Sequence, residues 1–288
     1  MVDPGTHYTQ GTPMRPLFIL GSGRCGSTYL RELLQAHPRI AMTNEAGVAS
    51  FLATAVAYSR VSREEAFHQG QGLIHADVVP DFSTMFRAKV RSIAEEFYSA
   101  SFGDQDIACW GDKIGFDWLD SYEHLQTVFP DPKFVVMIRD FRDVLVSWRA
   151  WATRLGLLDH LSLTWPVGEI CNFWNRHYTK ALEVLDDHLV IRYESLVPAP
   201  KKCLQDILGF VNLAMCPQIE AALHDNETFR QMGTSSSVSA SLGRWKHELP
   251  RADARIVEET CGPLMRRFGY PVAAATRPES ADARHSGM

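Results

Sequence analysis

A glycine-rich turn, an arginine at the end of an apolar run and a glutamate between them are the residues of this chain whose types and spacing suit chemistry. The turn is Gly21-Ser22-Gly23-Arg24-Cys25-Gly26-Ser27-Thr28, entered from the apolar Leu17-Phe18-Ile19-Leu20 and left through a helical pattern. A strand passing through such a turn into a helix presents backbone N–H groups and a positive helix end to an anion, usually a phosphate. Read as G-x-x-x-x-G-K-[ST], Gly21, Gly26 and Thr28 match, but Ser27 stands where the lysine is needed. An ATP or GTP γ-phosphate then lacks its side-chain counter-charge. The positive charge sits instead at Arg24, inside the turn, which suits a smaller or less charged terminal group. Read as G-x-G-x-x-G, Gly21, Gly23 and Gly26 match, and Glu45 lies at about the distance of a ribose-binding acid. An NAD(P)-dependent oxidoreductase is therefore a competing reading. Glycines that serve only close packing are a third.

The second group of residues is Arg139-Asp140-Phe141-Arg142-Asp143-Val144-Leu145-Val146-Ser147, directly after the apolar Lys133 to Ile138. An arginine at a strand end and a hydroxyl on the following helix can bind a second phosphate, the arginine as a fork and the serine as a donor. The alternative is an ion pair of Arg139 with Asp140 or Asp143. Two anion sites on one rim explain one another if the ligand carries phosphate at both ends of an adenosine. A dinucleotide fold has no such need for Arg139 and Ser147.

The elements that must position these residues follow from the apolar pattern. The chain has 288 residues, enough for one large core, and 45% hydrophobic with 22% charged residues is ordinary for a globular protein. The spacing predicts strands at Leu17 to Leu20, Lys133 to Ile138 and His188 to Arg192. Helices are expected over Ser27 to Ala36, Ala46 to Tyr58, Arg63 to Gln69, Ser83 to Phe102, Val167 to Leu185, Pro200 to Val211 and Ala252 to Phe268. Apolar strands alternating with helices imply an α/β fold in one domain, a central parallel sheet with helices on both faces. Ligands of such sheets collect at the carboxyl ends of the strands, which puts Gly21 to Thr28, Arg139 and Tyr193 on one rim. The domain is expected over 16–272, between a loose arm at 1–15 and a frayed tail at 273–288.

The formal charge of -5 argues against a nucleic-acid partner. No run is apolar for long enough to span a membrane, and the polar start lacks the core of a secretory signal. The six cysteines form no C-x-x-C pair, and the eleven histidines have no metal spacing. These features together lead us to expect a cytoplasmic protein with reduced thiols, no membrane and no metal.

Four motifs, in order over residues 16 to 270, resemble those of the sulfotransferases that use 3′-phosphoadenosine 5′-phosphosulfate (PAPS). Arg24-Cys25-Gly26-Ser27-Thr28 resembles the family's 5′-phosphosulfate loop, [KR]-S-G-[ST]-T, with cysteine in place of serine. Arg139 to Ser147 resembles its 3′-phosphate motif, R-[ND]-P-x-D-x-x-x-S, with Phe141 in place of proline. Tyr193-Glu194-Ser195-Leu196 is similar to a Y-E-[DS]-L segment near the nucleoside, and Gly243-Arg244-Trp245-Lys246 to a late G-x-W loop that closes over the nucleotide. The resemblance implies a P-loop-like sulfotransferase fold with PAPS as co-substrate. Arg24, Cys25, Gly26, Ser27, Thr28, Arg139, Ser147, Tyr193, Gly243, Arg244 and Trp245 would hold it. Where cytosolic members carry a K-[TS]-H triplet, this chain reads Lys113-Ile114-Gly115, so the lysine is present and the histidine is not. The tyrosylprotein and heparan branches use a glutamate after the first helix, and Glu45 occupies that place. The expected catalytic residues are thus Glu45 as general base, or else a first-turn carboxylate of its own helix, with Lys113 and Arg24 balancing charge on the moving sulfuryl group. For Lys113 the alternative is a surface pair with Asp112. Residues 59–105 and 151–172, rich in aromatic side chains, are expected to shape the pocket of a small hydroxylated acceptor. A nucleotide-binding protein without turnover would need neither Glu45 nor Lys113.

Overall fold

The computed structural model describes residues 14–56, 82–103, 106–115, 121–156, 165–224 and 233–272. Five strands form one sheet: β1 (Arg15–Gly21), β2 (Ile40–Asn44), β3 (Cys109–Gly115), β4 (Lys133–Ile138) and β5 (His188–Arg192). All pair in parallel, in the order β2-β3-β1-β4-β5. In β1, Leu17 and Ile19 are buried on one face and Phe18 and Leu20 on the other, so the strand reads as a continuous apolar run rather than an alternating one.

Helices cover both faces. On one side α1 (Ser27–Gln35), α8 (Pro200–Phe210) and α9 (Pro217–Ala222) pack against Leu17, Ile19, Val135 and Met137. On the other lie α2 (48–56), α3 (Phe82–Phe102), α4 (Ser121–Val128), α5 (Phe141–Leu155), α6 (Val167–Val184) and α11 (Arg251–Arg267), around Phe18, Trp110, Phe134 and Val136. The short helices α7 (Tyr193–Leu196) and α10 (Trp245–Glu248) follow β5 and precede α11. Among the described residues no helix is long and apolar enough to cross a membrane.

The expected α/β architecture is the observed one, and each expected helix within the described residues lies within about two residues of its place; the end of the one expected over Ala46 to Tyr58 lies outside the described residues. The arm through residue 13, the helix over Arg63 to Gln69 and the tail from 273 lie outside the described residues; Arg15 already pairs with Cys109 in the sheet. Two strands, β2 and β3, helix α4 and the short helices α7, α9 and α10 were not expected from the pattern. β3 carries Gly111, Asp112 and Lys113 in its interior, residue types depleted in strands, yet Asp112 and Lys113 are both buried. Tertiary pairing with β1 and β2 overrides their weak strand preference.

Gly111 is the clearest steric requirement of the sheet. It faces Leu17 of β1, and a Cβ placed on it would stand 1.7 Å from the Leu17 carbonyl oxygen. The clash is with backbone and cannot be relieved by a rotamer. Gly111→Ala is therefore expected to destabilise the fold by at least the ~1–3 kcal/mol usual for overpacking. Urea unfolding checks this, and a midpoint equal to that of the parent chain would refute it.

Candidate functional site

The turn after β1 is wound so that its backbone faces outward at the carboxyl rim. Arg24 and Gly26 both adopt left-handed conformations, with φ of 66° and 96°. Gly26 caps α1 without any side chain reaching back, and the first turn of α1 holds no acid, so the helix end offers its N–H groups to a ligand. The three glycines of the turn are each required by contact. A Cβ on Gly21 would lie 2.6 Å from Cys25 Sγ, on Gly23 2.5 Å from the Trp148 ring, and on Gly26 2.3 Å from the Tyr193 ring. The turn is pinned from below by Tyr178 of α6. Its hydroxyl accepts from the Ser22 N–H at 3.1 Å and lies 2.8 Å from the Met137 carbonyl, to which it donates.

A cleft of about 560 Å³, open to solvent, lies over this turn. Gly26, Ser27, Thr28 and Tyr29 form one wall, Arg24, Arg139 and Ser147 a second, and Tyr193 with Gly233, Thr234, Ser235 and Ser241 a third. Arg139 leaves β4 and donates to the carbonyls of Arg24, at 3.1 Å, and Ser241, at 2.5 Å, while its guanidinium stacks 4.5 Å from the Tyr193 ring centre. Its Nε is buried with no hydrogen-bond partner among the described residues. Arg24 donates to Ser147 Oγ at 3.2 Å and lies over the Trp151 ring. Burial, and then the neighbouring Arg139 charge, push the Arg24 guanidinium down to about 10. Two cations desolvated side by side, next to an uncapped helix end, mark a place prepared for an anion.

Helix α5 organises the far wall. Asp140 caps its start by accepting from the Arg142 N–H and binds the Arg142 guanidinium through both oxygens, at 2.9 and 2.7 Å. Asp143 accepts from the Gly243 N–H at 2.7 Å and the Trp245 N–H at 2.9 Å. Burial raises its carboxyl, against the pull of these two amides. Ser147 meets Thr234 at 3.1 Å, and Arg154 donates to the Gly233 carbonyl. The alternative ion pair of Arg139 with Asp140 or Asp143 is thus not formed: Asp140 is engaged by Arg142, and Asp143 by the late loop.

Several sequence-derived assignments change here. Gly243, Arg244 and Trp245 do not line the cleft. Gly243 and Trp245 are held by Asp143, the Trp245 ring packs 3.6 Å from the Arg142 guanidinium, and Arg244 pairs with Glu248 and reaches Thr234 at 2.9 Å. The G-x-W residues anchor the loop whose earlier members, Thr234, Ser235 and Ser241, face the cleft. Cys25 is fully buried beneath the turn, so its side chain offers no ligand contact; burial raises its thiol, opposed by Ser27 and by the nearby charges of Lys113 and Arg139. Tyr193 is both core and site, its ring under Gly26 and its hydroxyl 2.8 Å from Ser241 Oγ. Tyr178, Trp148 and Trp151 carry no local signal that marks them as supports of the turn.

Glu45 and Lys113 meet one strand over. Lys113 is not at the surface with Asp112 but buried, and its ammonium pairs with the Glu45 carboxylate, which is half exposed. The Glu45 N–H also donates to the Lys113 carbonyl at 3.1 Å. Glu45 is not the first-turn acid of a helix; it stands in the loop between β2 and α2, with φ of 57°. β3, with Lys113 on it, intervenes between β1 and β2, so Glu45 is not on the strand next to the glycine turn, where a dinucleotide fold needs its acid. Neither Glu45 nor Lys113 lines the cleft itself. Of the aromatic segments expected to build an acceptor pocket, α3 packs Val90, Ala94 and Tyr98 into the core, while 57–81 and 157–164 lie outside the described residues.

Comparison with known proteins matches residues 16–217 to the sulfotransferase family. The chain is 28% identical over 282 residues to protein-tyrosine sulfotransferase 1 of Danio rerio, covering 91% of this chain and 74% of that one. It is 28% identical over 182 residues to carbohydrate sulfotransferase 5 of Mus musculus, covering 51% of this chain and 45% of the other, so it spans less than half of that relative. Among solved structures, the sulfotransferase domain of the Synechococcus PCC 7002 olefin synthase has the same fold, with a TM-score of 0.55 at 21% identity over 92% of this chain and 98% of that domain.

Tyr178→Phe tests the support beneath the turn. The variant leaves the buried Ser22 N–H and Met137 carbonyl without their hydroxyl, at a cost of ~1–3 kcal/mol. Urea unfolding should show that loss, with weaker binding of inorganic pyrophosphate by calorimetry. Unchanged values for both would mean that the turn holds its shape without Tyr178.

Proposed function

This chain belongs to the sulfotransferase family, and we propose that it moves the sulfuryl group of PAPS to an acceptor hydroxyl by in-line displacement, with Glu45 as general base. The carrying observation is that one cleft joins the glycine turn to Arg139 and Ser147. The fit of the donor rests on the chemistry of that cleft. The uncapped end of α1 with Ser27 and Thr28 suits the 5′-phosphosulfate. Arg139, whose Nε is buried with no hydrogen-bond partner among the described residues, suits the 3′-phosphate together with Ser147, and the Tyr193 ring suits the nucleoside. Neither anion position calls for a metal ion in this reading.

PAPS when bound supplies an activated sulfur with a nucleotide leaving group. The protein has then three tasks: positioning, charge neutralisation and proton removal. Arg24 and the first-turn amides of α1 hold the group that departs and stabilise charge gathering on it. Lys113 stands on β3, which pairs with β1 directly before the glycine turn, and its ammonium balances charge on the moving group. The Glu45 carboxylate takes the acceptor proton as the new sulfur–oxygen bond forms and the old one breaks. Its half exposure leaves it open to an incoming hydroxyl.

For the acceptor we carry forward a small hydroxylated molecule. A tyrosyl peptide is the second reading, favoured by a similarity to a protein-tyrosine sulfotransferase that runs over 91% of this chain. Incubation with sulfur-labelled PAPS and a panel of 4-nitrophenol, a tyrosine-containing acidic peptide and an N-acetylglucosamine oligosaccharide separates the classes by which product carries the label.

Three outcomes check the site. 3′-Phosphoadenosine 5′-phosphate in EDTA, at 100-fold excess over its dissociation constant, should stabilise the fold by ~2.7 kcal/mol. A thermal shift seen only with NADH, or only with ATP and magnesium, rejects the reading. Arg139→Ala should weaken that nucleotide by ~2–5 kcal/mol and Ser147→Ala by ~1 kcal/mol. Calorimetry with adenosine 5′-phosphosulfate, which lacks the 3′-phosphate, is the control, and equal losses for both ligands would displace the assignment. Glu45→Gln should keep nucleotide affinity while turnover drops ~10²–10⁴-fold. Turnover near that of the parent chain would send the search for the base elsewhere.

A further inference from the structure

Asp112 precedes Lys113 on β3 and is fully buried. Its carboxylate accepts from the Thr43 hydroxyl at 2.8 Å, the Gly47 N–H at 2.7 Å and the Ala46 N–H at 3.3 Å. All three donors belong to the short segment that carries Glu45, one before it and two after. Among the described residues, further polar contacts of that segment also come from β3, through Gly111 and Lys113. β2 is an edge strand, so its end is held through the sheet from the β3 side only. Immediately beyond Asn44 the backbone turns left-handed, at Glu45 with φ of 57° and again at Gly47 with 69°. A non-glycine residue persists in that region only where its surroundings over-determine it, and such residues gather at functional sites.

A carboxylate buried in this way is costly, and a well-packed apolar side chain would serve stability as well or better. Its three hydrogen bonds, all directed at residues 43 to 47, give it another use. Successive strand residues leave on opposite faces, so Asp112 and Lys113 grip Glu45 in two ways. Lys113 pairs with the carboxylate and accepts the Glu45 N–H at its own carbonyl, while Asp112 fastens the two peptide N–H groups that follow Glu45 and the Thr43 hydroxyl that precedes it.

We propose that Asp112 is a positioning residue for the reaction, fixing the left-handed turn that aims the Glu45 carboxylate at the acceptor hydroxyl. The proposal rests on the reading of Glu45 as general base. Asp112 itself touches neither reacting partner.

Asp112→Asn keeps the volume but sets an amide donor against a ring of donors. Turnover with the panel acceptor that is sulfated should fall about 100-fold, the scale of a misplaced catalytic group. The KM for PAPS and stabilisation by 3′-phosphoadenosine 5′-phosphate should stay as in the parent chain, and hydrogen exchange at Ala46 and Gly47 should speed up. The double variant with Glu45→Gln should be no slower than Glu45→Gln alone, because both act through one group. Thr43→Val, which removes one of the three donors, serves if Asp112→Asn does not fold; it should show a smaller loss of turnover at unchanged nucleotide KM. Normal turnover of Asp112→Asn beside a crippled Glu45→Gln would overturn the proposal, as would losses that multiply in the double variant or unchanged protection of the Gly47 amide. Normal turnover of Glu45→Gln marks a different failure, that of the base reading, and removes the proposal with it.

Discussion

Two guanidinium groups held together at the carboxyl edge of β1 and β4, partly stripped of water, set the constraint to which the surrounding structure answers. Arg24 and Arg139 repel one another, and burial already lowers the Arg24 pKa. Both also have neutral partners among the described residues. Arg139 leans on two carbonyls and the Tyr193 ring, and Arg24 on Ser147 and the Trp151 ring. Acids close by are turned to other work, Asp140 to Arg142 and Asp143 to backbone amides.

The frame that holds this arrangement rigid is the parallel sheet. Parallel pairing sends the carboxyl ends of all five strands to one edge, so loops far apart in the chain open onto one rim. The two faces of β1 are closed by apolar side chains from both helical layers, and Tyr178 reaches through from α6 to tie the first loop to the end of β4. Helix α5 then works as a ruler. Asp143, Ser147 and Arg154, spaced by four and then seven residues so that they share a side, hold the late segment at Gly243 and Trp245, Thr234 and Gly233 in turn.

On the other side of β1 the chemistry is divided between strands that do not look like strands. β3 carries a buried aspartate and a buried lysine side by side, an arrangement that costs stability and is tolerated because each has its partner in the loop after β2. The glutamate in that loop is held in an uncommon backbone conformation by the same two residues. The donor cleft and the Glu45–Lys113 pair are therefore separate constructions on one rim.

The amino-acid sequence by itself determined the α/β class, the positions of β1, β4, β5 and the long helices, and the two segments, Gly21 to Thr28 and Arg139 to Ser147, whose residues meet at the cleft. These are local features: apolar runs, helical periods, a glycine turn and short motifs whose residues act close to where they stand. Tertiary structure alone decided that Cys25 faces inward, that the G-x-W residues anchor a wall instead of forming it, and that Thr234 and Ser241 face the cleft. It also decided that Lys113 is buried against Glu45 and that β2 and β3 are strands at all. The physical reason is the same in each case. Burial, pairing of edge strands and the choice among polar partners depend on residues more than sixty positions away, and no spacing within a motif records where those will lie.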